Sequence, residues 1–358
     1  MNALPSHELR NPTLPFPNSW FGIRTSRDLK RGQVLAVPFM GKEIVLYRTQ
    51  SGEARACEPY CPHMGAHLGH GGRVEGEDLV CPFHGFAYDG TGACVRTGWG
   101  DRPPRVALKF LPLREINGSL YIWRHHAGAA PHWEVPSFDL RGYAIRHIDI
   151  TWDGSWDDLA ENSVDTTHLK SLHHADWNLP VSSIEAHRVH IAGTAEYFFK
   201  KIRMQLPITL YGPGIVIAGT TLSWMDYKAI VNITPIRQFE NRFHITIAVR
   251  MTKMRFMPSW VRTGIAHLFA WIFRHFHLRE ALNDNVVLAY RKRLDHPTLR
   301  PSDASIGMVR RWIRQFMPSS DVGAETLVAT VKQQAEVAAF AEHKVMLEDQ
   351  AQRTKGVS

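Results

Sequence analysis

Between Trp20 and Trp123 the apolar residues fall in short runs separated by turn residues. Residues 33–38, 43–48, 106–111 and 120–123 have strand-like patterns, and Asp89-Gly90-Thr91-Gly92 predicts a tight turn. Gly, Pro and His crowd the stretch 57–100, as in loops folded around a metal. A polar, proline-bearing joint follows at 125–136, and the period then changes. Residues 156–174 read as helical, with Leu159, Val164, Leu169 and Leu172 near helical spacing. Alternation returns over 191–249, for example at 229–234 and 243–249, and predicts a sheet. Residues 259–293 predict a long helix with an apolar face, stopped by Pro297, and a last helix is expected over 324–352. No internal repeat interrupts this order of an all-β part and a mixed part.

The chain has 358 residues, 44% of them hydrophobic, so it can fill one large core or two ordinary ones. Its charge of +8 invites an anionic partner. No Lys/Arg-dense tract is interleaved with aromatics, so nucleic acid is not the expected one. The first 17 residues are polar and proline-rich and lack the apolar stretch of a secretory signal. No apolar run reaches the roughly 18 residues of a membrane span. The nearest, 264–273, ends at Arg274 and His275. A cytoplasmic location is the resulting expectation. The four cysteines, Cys57, Cys61, Cys81 and Cys94, lie close together, and none follows. Without a secretion signal such a set reads as a metal site before it reads as a disulfide framework.

The central feature is Cys61-Pro62-His63, then seventeen residues, then Cys81-Pro82-Phe83-His84. Thiolates stabilise ferric iron, and two neutral imidazoles on one iron raise the potential relative to an all-thiolate cluster. The alternative is a structural Cys2His2 zinc site, against which the short CxH pair and the surrounding Pro and Gly argue. Cys57 and Cys94 read as small core residues, and His67 and His70 as loop or surface histidines. The run from Cys61 to Gly72, then Cys81-Pro-Phe-His-Gly-Phe, then Asp89-Gly-Thr-Gly, resembles the Rieske domains of non-haem iron oxygenases.

A second segment strengthens the resemblance. Asp165-Thr-Thr-His168, four residues, then His173 is similar to the mononuclear-iron motif of the same family. Asp165 and His168 are spaced to share a helix face. His168 and His173 differ by about 140° on an ideal helix, so the helix must end or deform near Leu172. His174 leaves a one-residue ambiguity, and the family spacing favours His173. The family requires a carboxylate as third ligand. Asp284, with helical neighbours Ala281, Val287 and Leu288, is the candidate, and Glu280 one turn earlier is the alternative. The plain reading makes Asp284 a solvated helix residue.

Across residues 16–318 the chain resembles Rieske-type terminal oxygenases. Phe16-Pro-Asn-Ser-Trp-Phe-Gly-Ile and Arg310-Arg-Trp-Ile-Arg-Gln-Phe resemble the branch containing 3-ketosteroid 9α-hydroxylase and cholesterol 7-desaturase. Arylamine oxygenases such as aminopyrrolnitrin oxygenase share the layout. The resemblance implies an α+β chain: an all-β Rieske domain at 16–128 and a catalytic domain at 129–358, an antiparallel sheet flanked by helices (helix-grip, START-like), with residues 1–15 as an arm. It implies a [2Fe-2S] cluster on Cys61, His63, Cys81 and His84, and mononuclear Fe(II) on His168, His173 and Asp284. Asp165 would bridge electron transfer to the cluster of a neighbouring subunit in a homotrimer. O2 would be co-substrate, and a ferredoxin and/or NAD(P)H-dependent reductase would supply electrons. A hydrophobic small molecule, steroid-like or aromatic, would be hydroxylated, dealkylated or desaturated. The aromatic stretch 257–276 suits core packing, a lid over an apolar pocket, or peripheral membrane contact. The competing function is a Rieske electron carrier without oxygenase activity.

Overall fold

The computed structural model describes residues 14–318 apart from 176, 178, 198–201, 254–255 and 295. Three small antiparallel sheets build the first third. Ser19–Thr25, Ser119–Arg124 and Leu113–Ile116 form one, in that order. Val34–Phe39, Lys42–Arg48, Ala54–Cys57 and Phe110–Leu111 form the second. Arg73–Glu75, Asp78–Val80, Ala87–Tyr88 and Cys94–Arg96 form the third. The strand expected over 106–111 is shorter than its pattern implies. Cys94 N–H donates to Val106 O and Leu108 N–H to Gly92 O, so its first residues serve the neighbouring turn and only Phe110–Leu111 joins the ladder. The predicted turn at Asp89 is present: Asp89 Oδ1 accepts from Thr91 N–H at 2.8 Å and closes an Asx turn.

The remainder centres on a seven-stranded antiparallel sheet. Its order is Ala144–Asp153, Glu240–Met251, Met225–Arg237, Ile215–Thr221, Ile208–Tyr211, Arg188–Ile191, Val181–Ile184. Two short helices, α1 (Asp158–Asn162) and α2 (Thr166–Leu172), come between its first strand and the rest, and α3 (Ser259–Leu288) and α4 (Ala304–Ile313) follow it. Ala266, Ala270, Ala281 and Leu288 of α3 pack on Ile148, Trp152, Ile245 and Ile247 of the sheet. Val309, Trp312 and Ile313 of α4 pack with Val189 and Leu210 at its other end. This matches the expected sheet flanked by helices.

Two helix expectations change, and a third cannot be compared. The single helix over 156–174 is two, because Asp165 takes an extended conformation and caps α2 instead of continuing α1. The long helix ends at Leu288 rather than 293, and Arg291 and Arg293 turn back to the acidic face of α1. The helix expected over 324–352 lies outside the described residues. The aromatic stretch splits: Ile265, Phe269 and Phe273 pack on the core, while Trp260, Leu268 and Trp271 are exposed. Among the described residues no helix is long and apolar enough to cross a membrane.

The small sheets are fastened to the large one. Thr234 Oγ1 donates to Gly22 O at 2.9 Å, and a Cβ on Gly22 would stand 2.5 Å from Asn232 Cγ. Met40 N–H donates to Pro235 O, also at 2.9 Å.

Beneath the second metal segment lies a buried ionic knot. Glu161 accepts from Arg310 (Nε 2.8 Å, Nη2 3.0 Å) and Arg291 (Nη1 3.2 Å), while Asp158 and Asp157 pair with Arg291 and Arg293. Burial pushes the Asp158 carboxyl up to about 6 against the pull of Arg291. Glu161→Ala removes the shared acceptor. It is expected to destabilise the fold by about 3 kcal/mol, the lower end for breaking a buried pair because the arginines keep some solvent. The urea midpoint checks it.

Candidate metal centres

The two Cys/His half-sites are built alike. Gly65 N–H donates to Cys61 O and Cys61 N–H to Ala66 O, both at 2.9 Å. Likewise Gly85 N–H donates to Cys81 O at 3.2 Å and Cys81 N–H to Phe86 O at 2.8 Å. Each loop therefore leaves its cysteine and closes on a glycine four residues later, with φ of 74° at Gly65 and 66° at Gly85. Gly85 has a second constraint: its Cβ would sit 2.7 Å from Gly98 Cα, where the chain passes close beneath.

These loops bring the four predicted residues together. Cys61 and Cys81 are buried, and each sulfur has hydrogen-bond donors near it. Tyr88 O–H lies 2.9 Å from Cys61 Sγ. Burial pushes the Cys81 thiol up, while Phe83 N–H and His84 N–H pull the other way by favouring thiolate. The His63 ring is exposed and the His84 ring half-buried, centroids 4.9 Å apart. His63 stacks on Phe86 at 4.3 Å, and His84 meets Trp99 edge-on at 5.9 Å. Two inner sulfurs and two outer imidazoles fit a [2Fe-2S] cluster, which Cys61, Cys81, His63 and His84 would hold. Tyr88 is absent from the sequence reading; its only signal is its place four residues after His84.

Cys57 and Cys94 are buried in strands, and burial pushes the Cys57 thiol up to about 12. His67 Nε2 is 3.2 Å from Glu43 Oε2, and His70 Nε2 is 3.7 Å from the same atom. Gly69 N–H donates to His67 Nδ1 at 3.1 Å, so in the neutral ring the proton sits on Nε2. These three lie close enough to share an ion, but in that tautomer His67 turns an N–H, not a lone pair, toward Glu43, which argues against a ligand role.

The second constellation joins α2 to α3. His173 caps the C-terminus of α2, His174 takes a left-handed φ of 55°, and Ala175 N–H closes back on Leu169 O at 2.9 Å. The helix thus ends after Leu172, as the spacing requires. With that reversal His173 turns inward and His174 is exposed. His173 Nε2 lies 2.8 Å from Asp284 Oδ1, and His168 Nε2 lies 3.8 Å from the same oxygen. Asp284 is buried on α3, so it is not the solvated residue of the plain reading. Burial pushes its carboxyl up against the pull of His173 and His168. Both nitrogens of His168 are buried without a hydrogen-bond partner. Buried polar atoms left open toward a carboxylate and a second imidazole fit a divalent iron held by two His and one carboxylate.

Around this triad, Asn162 Nδ2 donates to Asp284 Oδ2 at 3.0 Å, a role the sequence reading did not assign. Asp165 Oδ1 caps α2 through Thr167 N–H at 3.0 Å, and its Oδ2 stands 3.7 Å from His168 Nδ1. A cavity of about 150 Å³ opens beside them, lined by Asn162, Asp165, His168, Asp284 and Ile306 among others. Among the described residues, none from the cluster loops lines it.

Comparison with known proteins defines the class. Residues 19–105 match the Rieske [2Fe-2S] domain. Fold and domain together make this a Rieske-type oxygenase, an oxidoreductase using a [2Fe-2S] cluster, mononuclear non-haem iron and O2. Residues 122–317 match the 3-ketosteroid 9α-hydroxylase C-terminal domain, and the chain belongs to that family. A cholesterol 7-desaturase of Ciona intestinalis is 28% identical over 84% of this chain and 68% of its own. The oxygenase component of a 3-ketosteroid-9-alpha-monooxygenase from Rhodococcus rhodochrous is 25% identical over 86% of this chain and 85% of its own. Dicamba monooxygenase bound to dicamba shares the fold, with a TM-score of 0.67 at 18% identity over 84% of this chain and 98% of that one.

Proposed function

We propose that this chain is the terminal oxygenase for a steroid-like substrate, with its cluster on Cys61, His63, Cys81 and His84 and its iron on His168, His173 and Asp284. The observation that carries the reading is the convergence of two imidazoles and a buried carboxylate beside a small cavity. When bound, the two centres supply stored electrons and O2 activation: substrate, O2, two electrons and two protons give oxidised product and water. The chain's own residues do the rest. Asn162 and the buried wall of α3 hold the Asp284 carboxylate toward the histidines. Asp165 places one carboxylate oxygen 3.7 Å from His168 Nδ1 and caps α2 with the other.

The domain boundary falls near residue 128 in this reading, with catalytic residues downstream. Electrons come from a ferredoxin and/or an NAD(P)H-dependent reductase. Electron transfer runs between neighbouring subunits of a homotrimer, with Asp165 as the bridge; among the described residues none from the cluster loops lines the Asp165 cavity, which supports this route. Exposed Met64, Phe83 and Trp99 around the cluster suit such an interface. Exposed Trp260, Leu268 and Trp271 suit peripheral contact with the membrane in which a sterol dissolves. A cytoplasmic location suits the clustered thiolates and the donor.

The test supplies the protein with NADH, a ferredoxin reductase and a ferredoxin, and offers cholesterol, a 3-ketosteroid, an arylamine and an aryl acid. Mass spectrometry is expected to find a steroid product that gained one oxygen or lost two hydrogens. Turnover of the arylamine or aryl acid alone would overturn the substrate class.

A further inference from the structure

The His173 imidazole stands between two carboxylates. Its Nε2 faces Asp284 Oδ1 at 2.8 Å, on the side where His168 converges, and its Nδ1 lies in ion-pair contact with Glu280 Oε2 on the opposite edge, two buried atoms with no hydrogen-bond partner elsewhere. Glu280 lies one turn before Asp284 on α3, and its side chain is 15% exposed. Its other oxygen, Oε1, accepts from Arg279 Nε at 3.0 Å and Nη2 at 2.8 Å. Arg279 is 69% exposed, so it grips the carboxylate from the solvent side and turns Oε2 inward. The ring nitrogens are on opposite edges of an imidazole, so a group facing Nδ1 cannot join Nε2 on one ion. This separates Glu280 from the ligand set and gives it a different task.

We propose that Glu280 is a positioning residue: it accepts the Nδ1 proton of His173, fixes the tautomer that leaves Nε2 free for iron, and makes that nitrogen a stronger donor. The proposal rests on His173 being an iron ligand. A carboxylate behind a ligating histidine orients the ring and raises its basicity, and loss of such a partner typically costs about 10–100-fold in metal affinity. Arg279 adds a third member, holding the carboxylate that holds the ring.

The experiment is anaerobic equilibrium dialysis of Fe(II) against protein depleted of mononuclear iron but retaining its cluster. Bound iron is counted beyond that of the cluster, with visible absorption and thermal midpoint as folding controls. Glu280→Ala is expected to weaken Fe(II) binding about 10–100-fold while still saturating at one ion. Glu280→Gln keeps an acceptor oxygen without the charge and is expected to recover part of that loss, which general loosening of the fold would not allow. If Glu280→Ala proves unstable, Glu280→Gln and Arg279→Ala carry the test, each expected to weaken binding by less than the alanine. Unchanged affinity in Glu280→Ala or Glu280→Gln overturns the positioning role. Binding abolished in Glu280→Gln, to the extent seen in His173→Ala, overturns it in favour of direct ligation. Wild-type binding by His173→Ala would instead remove the iron-site reading beneath it.

Discussion

His168→Ala is expected to abolish turnover and lower the iron content from about three to about two per chain, leaving the cluster spectrum intact. The effect is large because the mutation removes an imidazole with no alternative in the site. Both nitrogens of His168 are buried without hydrogen-bond partners, so the ring serves no structural bond that the fold would miss. The neighbouring His174 cannot take its place, since its left-handed backbone leaves it exposed beyond the end of α2. Acid-labile sulfide, total iron and the visible spectrum measure the two centres separately. Two irons in wild type and mutant alike, after ferrous reconstitution, would leave an electron carrier. Zinc without sulfide would sink both centres.

Asp165 is expected to give the second large effect, and two substitutions divide its roles. Asp165→Asn keeps the Oδ1 that accepts from Thr167 N–H and so preserves the α2 cap, while removing the charge beside His168. Turnover is expected to fall roughly 10–100-fold, with stability and metal content close to wild type. Asp165→Ala loses both roles. It should show at least the same fall in turnover plus a loss of about 1 kcal/mol, the usual value of an N-cap. Stopped-flow reoxidation of the cluster in the presence of substrate and O2 reads the electron-transfer part, and thermal denaturation reads the cap. Equal stability of the two variants would remove the capping argument. Full turnover in Asp165→Asn would remove the bridge.

The relation of sequence to structure differs between the two centres. The cluster half-sites are local in the chain: each Cys and its His lie within one loop, and the closing glycines sit at fixed offsets. Short-range backbone bonds such as Gly65 N–H to Cys61 O and Gly85 N–H to Cys81 O build those loops, so their residue types carried the reading directly. The strand and sheet pattern was legible for the same reason, since alternation reports on a half-buried strand from neighbouring residues alone. The expected break after Leu172 was legible too, because helix geometry forbids two inward histidines five residues apart without one.

What the chain alone left open were the contacts between distant segments. His173 or His174, and Asp284 or Glu280, are pairs of similar residues that only their partners distinguish. In the structure the left-handed turn leaves His174 exposed, and α3 sets Asp284 beside both His168 and His173 and Glu280 on the far edge of His173. Tyr88 and Asn162 carry no motif; their roles appear only where a hydroxyl meets a sulfur and an amide meets a carboxylate 122 residues away. The split of residues 156–174 was hidden because apolar spacing records which side faces the core, whereas the break comes from one aspartate side chain capping the helix that follows. Local sequence thus determined the loops, strands and half-sites through short-range backbone geometry. The tertiary structure decided which side chains meet, because that depends on how α2 and α3 pack together against the sheet.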